Sequence, residues 1–177
     1  MKFFLLFLVA AIVLCFGCGR STTTDIPAVK EFDISRYCGR WYEIARLPNW
    51  FEKGMSGVTA HYSLRPDGMV DVVNSGIKNG KKHSISGVAR MVGDPKEGEL
   101  EVSFQWPFWS SYRIIQLEND YTMAVVCGKS RDYLWILARN PEISLADLNR
   151  ILESIRQHGF ETAKLEFPPP APPEKQN

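Results

Sequence analysis

The chain lacks any one-sided charge. Its 21 Lys and Arg stand against 20 Asp and Glu, with no basic run or patch. That excludes the electrostatic footprint of a nucleic-acid-binding protein. Histidine is scarce: His61, His83 and His158 are far apart and show no metal-ligand spacing. No nucleophile elbow occurs. No internal repeat or change of composition marks a second domain, and the length suits a single core. The longest apolar run, Phe3 to Phe16, is shorter than the about 20 residues a membrane-spanning helix needs. Cysteine is limited to Cys15, Cys18, Cys38 and Cys127.

The N-terminus carries one positive charge on Lys2 and then that apolar run, which reads as an export signal. The run ends in Cys15-Phe16-Gly17-Cys18-Gly19. A small residue directly before a cysteine resembles the bacterial lipoprotein cleavage site, so residues 1–17 are expected to leave and Cys18 to be lipidated. An ordinary signal peptide cut nearby is the alternative. Loss of residues 1–17 removes only Lys2 among the charges and leaves the remainder formally neutral. Residues 18–30 are mostly polar and unpatterned and read as a flexible tether spanning about 20 Å. Pro168 to Asn177 is proline-rich and is expected to be disordered.

From Gly39 onward, about eight short β-rich runs alternate with turn signals such as Arg65-Pro66-Asp67-Gly68, Lys78-Asn79-Gly80 and Glu118-Asn119-Asp120. Sequential hairpins of this kind make an all-β chain, either an up-and-down antiparallel barrel or a sandwich. The first run is Gly39-Arg40-Trp41-Tyr42-Glu43-Ile44-Ala45-Arg46. Period-2 parity places Trp41, Glu43 and Ala45 on one face, and Trp41 suits a barrel floor, although an ordinary core aromatic fits the same spacing. The run 132–139 is apolar on both faces, so something must cover its outer side. A helix beginning at Ser144, with Leu145, Leu148, Ile151, Leu152 and Ile155 as an apolar stripe and Gly159 as its stop, supplies that cover. Thr162 to Phe167 is expected to add a short strand.

Three separated motifs resemble the lipocalin family, and most closely its bacterial outer-membrane lipoprotein members. They are Gly39-Arg40-Trp41 with its continuation, Asn119-Asp120-Tyr121 between the sixth and seventh strands, and Arg139 at the end of the eighth. The resemblance covers about residues 31–167. It implies an eight-stranded up-and-down antiparallel barrel with one C-terminal helix packed outside, closed at the end where Gly39, Trp41, Asp120, Tyr121 and Arg139 meet. Arg139 would lie over the Trp41 indole. These are structural residues on that reading, not a binding site. Cys38 at the closed end and Cys127 about 20 Å along the seventh strand are too far apart for a disulfide and are expected to be free.

A barrel of eight strands encloses one small ligand. Strand parity nominates Tyr62, Ala89, Met91, Phe104, Trp106, Tyr133 and Trp135 for its lining, with Val58, Ala60, Ile85, Gly87 and Val102 beside them. Gly87 and Ala89 are expected to leave volume. Tyr112 and Met123 lie on strands whose two faces are both mixed, so parity alone does not settle them. Plain core packing is the competing role for each. The aromatic loops Leu47 to Phe51 and Trp106 to Trp109 would border the open mouth, as a lid or as a bilayer contact. The resemblance implies a fatty-acid or lysophospholipid binder without cofactor, anchored to an outer membrane and facing the periplasm, with a role in membrane maintenance. The alternatives are a non-binding scaffold and an enzyme of the isomerase or de-epoxidase kind found on this fold, for which the inward Glu43 is the lone candidate acid.

Overall fold

The computed structural model describes residues 23–170. The signal segment 1–17, Cys18 and tail residues 171–177 lie outside the described residues. Eight strands follow in order: β1 Gly39–Arg46, β2 Ser56–Leu64, β3 Val70–Lys78, β4 Lys81–Met91, β5 Glu99–Gln105, β6 Phe108–Leu117, β7 Met123–Cys127 and β8 Leu134–Ala138. Each pairs antiparallel with the next, and β8 closes on β1. Closure leaves the barrel no free sheet edge. The up-and-down order puts the β1–β2, β3–β4, β5–β6 and β7–β8 turns at one end, which is open.

The other end is closed by the family motifs. Asp33 caps a one-turn helix, α1 Ile34–Tyr37, by accepting from the Ser35 N–H. Trp41 is fully buried and its Nε1 donates to Tyr37 O at 2.8 Å. The Arg139 guanidinium lies 3.9 Å from the Trp41 ring centroid. It donates to the carbonyls of Arg36, Tyr37, Cys38 and Arg40 and so ties α1 to the barrel. Gly39 sits at φ +97°, and a Cβ there would stand 3.2 Å from the guanidinium, so both the backbone and the space call for glycine. Tyr121 accepts from the Asp33 N–H through its hydroxyl, and Asp120 holds Thr122.

Two apolar clusters result. The inner one gathers Trp41, Tyr37, Phe32, Val72, Leu100 and Val126 within the barrel. The outer one joins the far faces of β7 and β8, including Val125, Leu134 and Ile136, to Ile151 and Ile155 of α2 Leu145–Gln157. This explains why the β8 run is apolar on both faces. Ser144 caps α2 by accepting from the Asp147 N–H. Leu145, expected in the stripe, is exposed at the first turn, and the buried face begins at Leu148. Cys38 and Cys127 are both free. Burial pushes the Cys127 thiol up to about 11.

Four expectations are corrected by the structure. Ala45 does not share a face with Trp41 and Glu43. The pairing of β1 with β8 slips between Glu43 and Ala45, and this bulge moves Ala45 into the outer cluster while Arg46 swings back onto Glu43. Residues 23–30 of the expected tether run along the barrel wall instead. Ile26 is buried in the outer cluster, Arg113 donates to the carbonyls of Thr23 and Ile26, and Val29 pairs with Ile114 and Gly98. At Gly98 a Cβ would stand 2.7 Å from Val29, which is why the segment can lie so close. Thr162 to Phe167 forms a 3-10 turn, Thr162–Lys164, and a single bridge between Glu166 and Arg46 rather than a strand. The described part of the tail, 168–170, is attached through the Gly57 N–H, which donates to Pro169 O.

Candidate ligand-binding cavity

Inside the barrel, between the closed end and the mouth, lies a cavity of about 900 Å³. This is the upper part of the range for small-molecule sites. Its walls are mainly apolar: Val58 and Ala60 of β2, Val72 of β3, Ala89 of β4, Leu100, Val102 and Phe104 of β5, Val126 of β7, and Trp135 and Leu137 of β8. Polar groups cluster at three levels, with Thr59, Asn74, Ser75, Ser110 and Ser111 along the walls between them.

At the deep end stand Tyr37, Tyr62 and Tyr112. The Tyr37 and Tyr112 hydroxyls are 2.6 Å apart, and those of Tyr62 and Tyr112 are 2.9 Å apart. Burial pushes all three phenols up, Tyr62 to about 12. On the β1 side, the buried Glu43 carboxyl accepts from Arg46 Nη1 at 2.5 Å. Arg46 also donates to Glu52 O and reaches Glu166. Glu52, from the β1–β2 loop, accepts from Trp135 Nε1 at 2.9 Å and from Asn49 Nδ2 at 2.5 Å. Burial, then the neighbouring Glu52 charge, pushes the Glu43 carboxyl up to about 8 against the opposing pull of Arg46. At the mouth, Lys78, His83 and Ser84 of the β3–β4 hairpin join Trp50, Phe51 and Phe108.

Of the residues nominated by parity, Tyr62, Ala89, Phe104 and Trp135 line this cavity, together with Val58, Ala60, Ile85 and Val102, and so does Tyr112, which parity left open. Three do not. Met91 packs into the inner cluster near the closed end. Trp106 is a turn residue, 77% exposed, and meets Trp109 edge-on outside the cavity. Tyr133 belongs to the β7–β8 turn, where its N–H donates to Ser130 O, and its ring stacks beside Trp135 at the rim. Parity holds only within a strand, and both Trp106 and Tyr133 fall just beyond one. Gly87 leaves no volume, because the Phe104 ring fills the place of its side chain. Met123 lies in the outer cluster.

The residues missed lie off the strands, on β3, or on strands with other nominees, as Leu100 of β5, Val126 of β7 and Leu137 of β8 do. Tyr37 sits on a helix too short to show a period, and Glu52 on a loop. Val72 and Asn74 were findable, since β2–β3 register pairs them with Tyr62 and Ala60, which parity had already placed inside.

The lipocalin-like domain family matches residues 32–170 of the chain. Outer membrane lipoprotein Blc of Citrobacter freundii is 42% identical over 160 residues, covering 89% of this chain and 90% of its own length. The protein of the same name from Escherichia coli (strain K12) is 43% identical over 141 residues, covering 78% and 80%. Among solved structures, insecticyanin from the tobacco hornworm Manduca sexta superposes with a TM-score of 0.69 at 21% identity, over 83% of this chain and 85% of its own, a likeness of fold alone.

Proposed function

The chain belongs to the lipocalin family, and from that premise we propose that it carries fatty acids or lysophospholipids while anchored by Cys18 to the periplasmic face of an outer membrane, in the service of membrane maintenance. As a lipocalin it is a ligand-binding protein rather than an enzyme. The observation that carries the proposal is the apolar cavity of about 900 Å³ opening between exposed aromatics at the mouth. Glu43, the candidate acid, is held by Arg46, which gives it a structural role. The relatives' name, outer membrane lipoprotein Blc, supports the anchor and the outer membrane.

The mouth carries features suited to a bilayer. Trp50 is 81% exposed, and Trp106 and Phe108 are also exposed. Such rings favour the membrane interface. Lys78, Lys81 and Lys82 on the β3–β4 hairpin add attraction to anionic lipid.

The test is uptake. Purified mature protein is extracted and bound lipid identified by mass, then titrated with a fluorescent fatty acid. Saturable binding near one equivalent is expected, with loss in Ala89→Trp, which fills the cavity from a buried wall position. A protein that takes up no lipid under these conditions is a scaffold, and the proposal falls.

A further inference from the structure

The deep end of this cavity is not the greasy terminus that a plain acyl chain needs. Three tyrosine hydroxyls stand there in one chain, with Tyr112 in the middle, and all three tyrosines line the cavity. Each hydroxyl brings one hydrogen. Two hydrogen bonds use two of the three hydrogens, whichever way the chain runs. One O–H donor is therefore left over in every arrangement. A buried donor without a partner costs free energy, and an apolar methyl end pressed against it would leave that cost in place.

From this geometry we propose that the tyrosine cluster is a subsite for an uncharged oxygen, a hydroxyl or keto group, carried on the distal part of the ligand's acyl chain. The inference rests on the carrier reading above and narrows its ligand to oxygenated acyl chains. An anion fits the subsite poorly. The burial that pushes the three phenols up disfavours any negative charge in that place, and Arg139, whose charge acts on Tyr37, is committed to the Trp41 face and to backbone carbonyls. The mouth, by contrast, offers Lys78 and His83. The two ends thus sort a ligand, with an anionic head at the lysines and a neutral oxygen at the tyrosines. Val72, paired with Tyr62, and Lys78 at the hairpin are separated along β3 by about 20 Å at roughly 3.3 Å per residue. The oxygen therefore belongs near the far end of a long chain.

The experiment compares hexadecanoic acid with 16-hydroxyhexadecanoic acid by displacement of a fluorescent fatty acid from the full-length protein. In a purely apolar floor the terminal hydroxyl weakens binding by about tenfold or more, the cost of burying an unpaired polar group. With the tyrosine subsite it tightens binding by about five- to tenfold, the size of one net hydrogen bond. The combined variant Tyr37→Phe, Tyr62→Phe, Tyr112→Phe removes every hydroxyl of the chain while keeping the rings, and the preference is expected to reverse. If that protein does not fold, wild type is read with 8-hydroxyhexadecanoic acid instead, whose oxygen stops short of the tyrosines and should bring no such gain over hexadecanoic acid; an equal gain there overturns the inference. A wild-type protein that favours hexadecanoic acid, or a preference that survives the substitutions, overturns the inference and leaves the carrier reading standing. Uptake of neither acid overturns both.

Discussion

Glu43 shows how one residue can stand on the right face for a reason the sequence does not reveal. Parity turned it inward, but its partners come from three separate segments: Arg46 through the β1 bulge, Glu52 from the loop, and Glu166 reaching the same guanidinium. Its carboxyl titrates at about 8 in the folded protein against 4.5 ordinarily, chiefly through burial and secondly through Glu52. The folded state thus holds this proton more tightly than the unfolded chain does. The resulting stability is fully present below about pH 4.5 and is lost as pH rises towards 8, with a slope of up to about 1.4 kcal/mol per pH unit. Thermal unfolding of wild type and Glu43→Gln from pH 5 to 8 checks this. The advantage of wild type over the variant should shrink steadily as pH rises, and a constant difference would show that Glu43 is ionised throughout. The same contrast governs what the sequence disclosed elsewhere. Trp41 and Arg139 were legible because their contact is written in a family motif and in strand ends. Tyr37 and Glu52 were not, because neither lies on a periodic element, and one is placed by a capped turn and the other by hydrogen bonds from Asn49 and Trp135 that form only in three dimensions.

At the level of elements, the barrel and its outer helix were legible because turn chemistry and the double-sided apolar run of β8 leave few alternatives. The N-terminal segment was not. Thr23 to Lys30 carries no period of two or 3.6, and its attachment depends on features elsewhere: the bare backbone of Gly98, the Arg113 guanidinium and the acceptors of the β7–β8 turn. Ile26, Ala28 and Val29 alone hinted at burial, and three apolar residues without a period are a weak signal. The structure makes the segment part of the fold. A chain beginning at residue 31 should therefore melt well below one beginning at residue 19. Ile26→Ala alone should cost about 2–5 kcal/mol, because Ile26 is 2% exposed in the outer cluster. Equal melting of the two chains would return the segment to the status of a free tether.

For the whole molecule, that segment bears on which end would meet the membrane under the proposed anchor. Thr23 is held at Gly128 and Lys129, in the β7–β8 turn, and that turn belongs to the open end. The chain then descends the wall to Val29 and Phe32 and closes the floor with α1. About five residues separate Cys18 from Thr23, a reach of at most about 18 Å. If Cys18 is lipidated as proposed, so short a lead from the open end would hold the mouth against the bilayer, where the exposed Trp50, Trp106 and Phe108 would meet the interface and the hairpin lysines the anionic head groups. A tether of a dozen free residues would have allowed any orientation. Lipid transfer to anionic vesicles is accordingly expected to slow several-fold in Trp50→Ser, Trp106→Ser, Phe108→Ser, and to weaken with salt in wild type because the lysine attraction is screened. Tryptophan emission should shift to the blue when wild type meets vesicles. If the aromatics are a lid, the substitutions speed transfer and the emission stays unchanged, because the rings then fold over the ligand and never leave the protein.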